Sequence, residues 1–201
     1  MMLDGFIGNK RICSQLVSLL ETGRFPHAVI IEGEEGLGKK TLAKEIALSL
    51  FCTNTEEKPC RECAQCNKII KGIHPDFCEY FPDDSKKSRP FTVDTVREII
   101  NDAAVSPNEA QYKICVLNEC ERMNPSAQNA LLKLIEEPPE YVVFLFLQQI
   151  KPFFLKLFYQ EALLSPLRGL ITARALSIYA RAIPRLIRRM LNVRLRFATA
   201  I

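Results

Sequence analysis

Ala28-Val29-Ile30-Ile31-Glu32-Gly33-Glu34-Glu35-Gly36-Leu37-Gly38-Lys39-Lys40-Thr41 decides the fold. A short apolar run leads into a glycine-rich loop, and Leu42, Ala43, Ile46, Ala47 and Leu50 follow at helical spacing. The order is strand, glycine loop, helix. Gly33, Gly36, Gly38 and Lys39 fall on the phosphate-loop pattern G-x-x-x-x-G-K-[ST], in which backbone N–H groups and a helix N-terminus cradle phosphates. A glycine turn with no link to nucleotides is the competing reading, but the strand before and the helix after are where the motif needs them.

Outward from this unit, Ile114-Cys115-Val116-Leu117 is a second apolar run, ending at Asn118-Glu119. A third, Tyr141-Val142-Val143-Phe144-Leu145-Phe146-Leu147, follows a helix with written limits: Asn124 can cap it, Pro125 suits its first position, and Pro138-Pro139 end it. In that helix Ala127, Ala130, Leu131, Leu134 and Ile135 form one apolar stripe. Continuous apolar strands separated by amphipathic helices predict an α/β domain, a parallel sheet flanked by helices. The stretch 82–90, rich in Asp, Ser and Lys, reads as a surface loop.

The phosphate-loop pattern places a hydroxyl after its lysine and an acidic residue at the end of a second buried strand, and together these hold Mg²⁺. Here those positions carry Lys40 and Asn118. Thr41 comes one residue late, a rotation of about 100° around a helix, and Glu119 is next to the amide rather than in its place. With both anchors missing, the expectation is a phosphate-loop fold that does not hydrolyse ATP. Passive nucleotide binding is left open.

Of 201 residues, 48% are hydrophobic and 25% charged, the balance of a chain able to bury a core. No stretch approaches the ~18 apolar residues of a membrane span, and the first residues lack a signal-peptide pattern. A cytoplasmic protein without membrane association is expected. In such a compartment the eight cysteines stay reduced unless a metal or a redox task claims them.

Cys52, Cys60, Cys63 and Cys66 stand in a C-x7-C-x2-C-x2-C array. Thiolates at this spacing converge on one tetrahedral ion, so structural Zn²⁺ in a closed site is expected, with an Fe–S cluster and a redox thiol set as rivals. Cys13, Cys78, Cys115 and Cys120 are scattered, and Cys115 reads as a small core residue. His74, before Pro75-Asp76, is either a fifth ligand or a turn residue, the latter being preferred.

These features resemble the bacterial clamp-loader group of the AAA+ class, and within it the delta-prime type of DNA polymerase III subunit. The resemblance runs through Phe6-Ile7-Gly8-Asn9, Gly23-Arg24-Phe25-Pro26-His27-Ala28, the glycine loop, the four cysteines and His74-Pro75-Asp76. It continues through Val93-Asp94-Thr95-Val96-Arg97 and Lys113-Ile114-Cys115-Val116-Leu117-Asn118-Glu119 to its most specific run, Met123-Asn124-Pro125-Ser126-Ala127-Gln128-Asn129-Ala130-Leu131-Leu132-Lys133-Leu134-Ile135-Glu136-Glu137-Pro138-Pro139. It implies a non-hydrolysing member of a ring that, with motor and delta subunits, places a sliding clamp on primed DNA, as part of a DNA-directed DNA polymerase holoenzyme. The motor (gamma/tau-type) subunit of the same loader is the near alternative, since it shares fold and cysteines but is expected to keep the hydroxyl and the acidic residue that Lys40 and Asn118 replace.

The last quarter of the chain has another composition. Residues 1–150 hold 17 Lys/Arg and 22 Asp/Glu, whereas 151–201 hold 10 Lys/Arg and only Glu161. After Phe146 the resemblance implies Thr-Thr-Asn, a Pro and Thr-Ile-Leu-Ser-Arg, whose Arg reaches a neighbouring ATP site; the chain instead continues Leu147-Gln148-Gln149-Ile150-Lys151-Pro152-Phe153-Phe154. Synonymous codons for residues 148–162 exist that, read one frame over, spell Thr-Thr-Asn-Lys-Thr-Val-Phe-Pro-Glu-Thr-Ile-Leu-Ser-Arg-Ser. The expectation is therefore an ATPase-like domain over 1–147, with the zinc module of 52–66 inserted, and an out-of-frame basic tail over 148–201 without native structure. A genuine basic arm is the alternative, giving a zinc-containing nucleic-acid-binding protein.

Overall fold

The computed structural model describes residues 10–21, 25–82, 91–149 and 170–174. Among the described residues, five helices and five strands are arranged in the order α1 (Lys10–Glu21), β1 (Ala28–Glu32), α2 (Lys39–Phe51), α3 (Ala64–Ile70), β2 (Phe77–Tyr80), α4 (Val93–Ala104), β3 (Lys113–Leu117), α5 (Pro125–Glu136), β4 (Val142–Gln148) and β5 (Leu170–Arg174). A 3-10 turn, Cys120–Arg122, lies between β3 and α5. The strands form one sheet in the order β2-β3-β4-β1-β5, with every pairing parallel. The expected flanked parallel sheet is present.

Each apolar run serves two layers, because successive side chains of a strand point to opposite faces. Ala28 and Ile30 of β1, Cys115 and Leu117 of β3, and Val142, Phe144 and Phe146 of β4 meet Val96, Ile99 and Ala103 of α4 and Ala127, Leu131 and Ile135 of α5. The alternate residues Val29, Ile31, Ile114, Val116, Val143 and Leu145 meet Leu16 of α1, Ile46 and Ala47 of α2 and Ile69 of α3. All residues of β1, β3 and β4 are buried. Full burial of one such aliphatic side chain contributes about 1.5–3 kcal/mol. Cys115 is a core residue as expected, and Cys120 is equally buried.

Helix α5 has its expected limits: the Asn124 side chain accepts the Ala127 N–H at 2.7 Å and Pro125 is its first residue. Helix α4 is capped by Thr92, which accepts from the Thr95 N–H. Its C-terminal carbonyls are held by the buried Lys113, whose ammonium donates to Asp102 O at 2.7 Å and Val105 O at 3.2 Å.

The register brings the carboxyl ends of the central strands level. Glu32 of β1 pairs with Gln148 of β4, and Leu117 of β3 with Phe146. In a parallel sheet this edge is where ligands are accommodated.

Gln148 is the last residue of β4, and Leu170–Arg174 pairs with the open edge of β1. An edge strand presents unpaired N–H and C=O groups that a short extended segment can meet, and Leu170-Ile171-Thr172 carries two β-branched residues. Cys13 lies in α1, and the rest of the tail, the loop at 83–90 and the motif residues at 6–9 and 23–24 lie outside the described residues.

Candidate functional site

The glycine loop bridges β1 and α2. Gly36 (φ 82°) and Gly38 (φ 76°, ψ 24°) are both left-handed, a conformation in which a Cβ is strained, so these two glycines are required by the backbone. Gly38 is the N-cap of α2 and its carbonyl accepts the Leu42 N–H at 2.9 Å. Gly33 N–H donates to Gln148 O at 3.1 Å, tying the loop to the end of β4.

A cavity of about 410 Å³ opens above this edge. The loop contributes Gly36, Gly38, Lys39 and Lys40 to its wall, the end of β3 contributes Asn118, Glu119 and Glu121, and the end of β4 contributes Gln148 and Gln149. Lys39 folds back so that its ammonium donates to Gly33 O and Glu34 O, both at 2.8 Å. Burial lowers the Lys39 pKa, and the carboxylates of Glu121, Glu35 and Glu119 only partly offset this.

Six of the eight loop and strand-end candidates therefore line one cavity. Gly33 is at its margin through the Lys39 contact. Thr41 is exposed on α2 and is not part of the wall, as the rotation of a helix by one residue requires. Lys40 is exposed too, with its ammonium 4.7 Å from the centroid of the Phe81 ring. Asn118 is 1% exposed; its N–H and its Nδ2 both donate to Tyr80 O, at 2.9 and 3.2 Å, and its Oδ1 has no partner among the described residues. Glu119 is left-handed (φ 53°) and accepts from Arg122 at 2.8 Å. The residues at the two metal-holding positions of the motif are thus an ammonium and a neutral amide, which do not fit Mg²⁺.

The four cysteines of the second candidate site also converge. Cys52 is the C-cap of α2, Cys63 the N-cap of α3, Cys66 lies in the first turn of α3, and Cys60 in the loop between. Their sulfurs all lie within 4.8 Å of one another, and Cys52 and Cys60 are 3.5 Å apart. Tetrahedral Zn–S bonds of about 2.3 Å put sulfurs about 3.8 Å apart, so the cluster could close on one ion with small side-chain rotations. Backbone N–H groups already point at the sulfurs: Cys60 N–H at Cys52, Cys63 N–H at Cys60, and Cys66 N–H at Cys63, at 3.4–3.5 Å. Burial pushes the Cys66 and Cys52 thiols up. At Cys63 burial acts the same way but is outweighed by N–H donors from Cys66 and Thr53, which bring it down to about 6. The four converging sulfurs could hold a metal ion.

His74 is not among the ligands. Its Nδ1 accepts the Asp76 N–H at 3.1 Å, which leaves Nε2–H to donate to Gln65 Oε1 at 2.7 Å, and its ring packs on Phe51 at 4.5 Å. Burial lowers its pKa, consistent with the neutral tautomer these contacts need.

Several structural contacts around the two sites had no local signal. Arg61, left-handed at φ 61°, makes a bidentate pair with Glu45 of α2 at 3.0 and 2.9 Å, which joins the cysteine loop to the helix that begins at the glycine loop. Glu32 and Gln148, both buried, share a hydrogen bond of 2.7 Å beneath the cavity. Asp76 is fully buried and accepts the N–H groups of Asn108, Glu109 and Ala110 at 2.6, 2.8 and 2.9 Å.

Known proteins are similar to this chain over most of its length. A family described as "DNA polymerase III, delta subunit" matches residues 8–156. A DNA polymerase III subunit gamma from Buchnera aphidicola subsp. Acyrthosiphon pisum is 37% identical over 139 residues, which are 69% of this chain and 37% of that protein. A DNA polymerase III subunit delta' from Haemophilus influenzae is 33% identical over 134 residues, 67% of this chain and 40% of that protein. The chain thus spans well under half the length of these relatives. A solved DNA polymerase III, gamma subunit-related protein from Thermotoga maritima aligns with a TM-score of 0.47 at 21% identity, over 82% of this chain and 47% of that one. With a family match covering most of its length, and relatives named both gamma and delta', the chain belongs to the DNA polymerase III delta-type clamp-loader family.

Proposed function

We propose that this chain is a delta-prime-type, non-hydrolysing subunit of the DNA polymerase III clamp loader, which supplies structure and contact surface while motor subunits bind and split ATP. Its partners are the motor and delta subunits and, through them, the sliding clamp and primed DNA in the cytoplasm. The observation that carries this reading is the pair Lys40 and Asn118 on one cavity wall, with Thr41 exposed outside it. Phosphoryl transfer draws most of its electrostatic help from a metal between the terminal phosphates, and neither metal-holding group is present. The Cys52, Cys60, Cys63 and Cys66 cluster is assigned to structural Zn²⁺, holding the end of α2 to the start of α3.

The test is phosphate release from ATP by the purified chain with Mg²⁺, alone and with the other loader subunits. No turnover attributable to this chain is expected; turnover that disappears in Lys39→Ala would move it to the gamma/tau motor class. Two observations support that second reading: Glu119 and Glu121 stand at the cavity, and a gamma relative is 37% identical. Reconstitution of the chain with motor and delta subunits tests the partners.

The tail belongs to the same proposal. We read the residues after Leu147 as the product of a neighbouring frame, since one shift accounts for both the basic jump in composition and the missing Ser-Arg motif. Genomic sequence across codons 140–165 that cannot encode Thr-Ile-Leu-Ser-Arg in any frame would overturn this and make the basic arm the reading to test.

A further inference from the structure

Lys40 and Asn118 are the two departures from the metal-holding pattern. Both line the cavity at the end of β1 and β3. Asn118 is 1% exposed, and because Tyr80 O can only accept, the amide nitrogen must face Tyr80. The oxygen, Asn118 Oδ1, is then a buried acceptor with no partner among the described residues, in a residue that lines the cavity. A buried acceptor without a donor is costly, and a ligand or a neighbouring cation relieves it. The Lys40 ammonium is a donor on the same wall, and it rests over the exposed Phe81 ring in a weak attachment.

The charges match as well. A divalent cation beside one carboxylate leaves one net positive charge facing the phosphates, and an ammonium beside a neutral amide leaves the same. An ammonium has three donors, enough to bridge phosphate oxygens on one side and one amide oxygen on the other.

We propose that Lys40 and Asn118 replace the divalent cation, so that the cavity binds the phosphate chain of a nucleoside triphosphate without metal. Lys40 swings from Phe81 to bridge the phosphate and Asn118 Oδ1, while Lys39 exchanges Gly33 O and Glu34 O for phosphate oxygens. Two of the carboxylates at the cavity are engaged: Glu119 with Arg122, and Glu121 with the Gln149 N–H at 3.1 Å. The third, Glu35, is exposed to solvent. The inference rests on the non-hydrolysing reading and adds a ligand to it.

The test is calorimetric titration of the full chain with ATP, once in magnesium-free buffer without chelator, so that any zinc stays bound, and once in excess Mg²⁺. Binding without Mg²⁺ at least as tight as with it is expected. Lys40→Thr should weaken the magnesium-free binding about tenfold or more, the worth of a charge-assisted hydrogen bond. The double variant Lys40→Thr, Asn118→Asp should bind only with Mg²⁺. Lys40→Met serves as a second variant, with circular dichroism and bound zinc as fold controls. Absence of magnesium-free binding, or magnesium-free binding unchanged in both Lys40 variants, overturns the inference. Phosphate release in the Mg²⁺ samples separates the two readings: turnover lost in Lys39→Ala defeats the non-hydrolysing reading, whereas no turnover with no magnesium-free binding defeats only this one.

Discussion

Replacing Asp76 by alanine removes the acceptor of three backbone N–H groups, those of Asn108, Glu109 and Ala110, which lie just before β3. Hydrogen bonds to a charged group contribute about 1.5–3 kcal/mol each. Asn108 and Glu109 are exposed, so their freed N–H groups can rehydrate and the lower end applies. The expected loss for Asp76→Ala is about 4 kcal/mol, a large part of the ~5–15 kcal/mol that holds a domain folded. Asp76→Asn should cost about half as much. An oxygen in place of Oδ2 keeps the Glu109 and Ala110 bonds, while the amide NH₂ then faces the Asn108 N–H as donor against donor.

Urea unfolding followed by circular dichroism, on the two variants and the parent chain from pH 7 downward, measures this. Burial alone raises the Asp76 pKa, but the three N–H donors outweigh it and hold it below 3.8. A depressed carboxylate contributes stability that is complete above its unfolded value and is lost as pH falls through the folded one. The gap between parent and Asp76→Ala should therefore be constant from pH 7 to about 5 and shrink below 3.8. Any loss of bound metal in acid is common to the three proteins and cancels in the difference. Equal costs for alanine and asparagine, or a gap that persists in acid, would refute the reasoning.

Three further outcomes are expected. Purified chain should carry one zinc, and chelation should expose the thiols of Cys52, Cys60, Cys63 and Cys66 to a thiol reagent together, with a fall in melting temperature; Cys63→Ser should abolish both the metal and the response to chelator. Arg61→Ala should destabilise by about 3 kcal/mol and Glu45→Gln by about 1, because the first strands a carboxylate whose side chain is 5% exposed while the second frees an arginine that is 39% exposed and can rehydrate; equal costs in denaturation would sink this asymmetry. Lys113→Met leaves Val105 O without its ammonium donor and Asp102 O with the Val105 N–H, and should cost about 1–2 kcal/mol and speed hydrogen exchange in the last turn of α4 while leaving α5 protected.

Much of the architecture was legible because it rests on local pattern. The runs at 28–31, 114–117 and 142–147 lie in strands buried on both faces, and such strands need no alternation to be recognised. Asn124 and Pro125 mark the start of α5 by chemistry confined to one turn. The four cysteines announce their cluster because metal-ligand spacing is short. Strand β2 escaped this reading: Phe77-Cys78-Glu79-Tyr80 lies at the sheet edge, is only partly buried, and so shows no continuous apolar run.

By itself the sequence determined the α/β class, the glycine loop, the cysteine set and the two departures at Lys40 and Asn118, all of which depend on residue identity at fixed short spacing. Tertiary structure alone decided which face of the sheet each apolar residue serves, that Lys40 and Asn118 share a wall, and that Asn118 Oδ1 is left without a partner among the described residues. It also decided the partners of the buried polar groups: Glu45 with Arg61, Asp76 with the 108–110 backbone, and Glu32 with Gln148 across 116 positions of chain. Periodicity and capping are set by neighbours within a turn or two, whereas a buried charge takes whatever donor the folded backbone carries to it, and that position follows from the packing of the whole sheet.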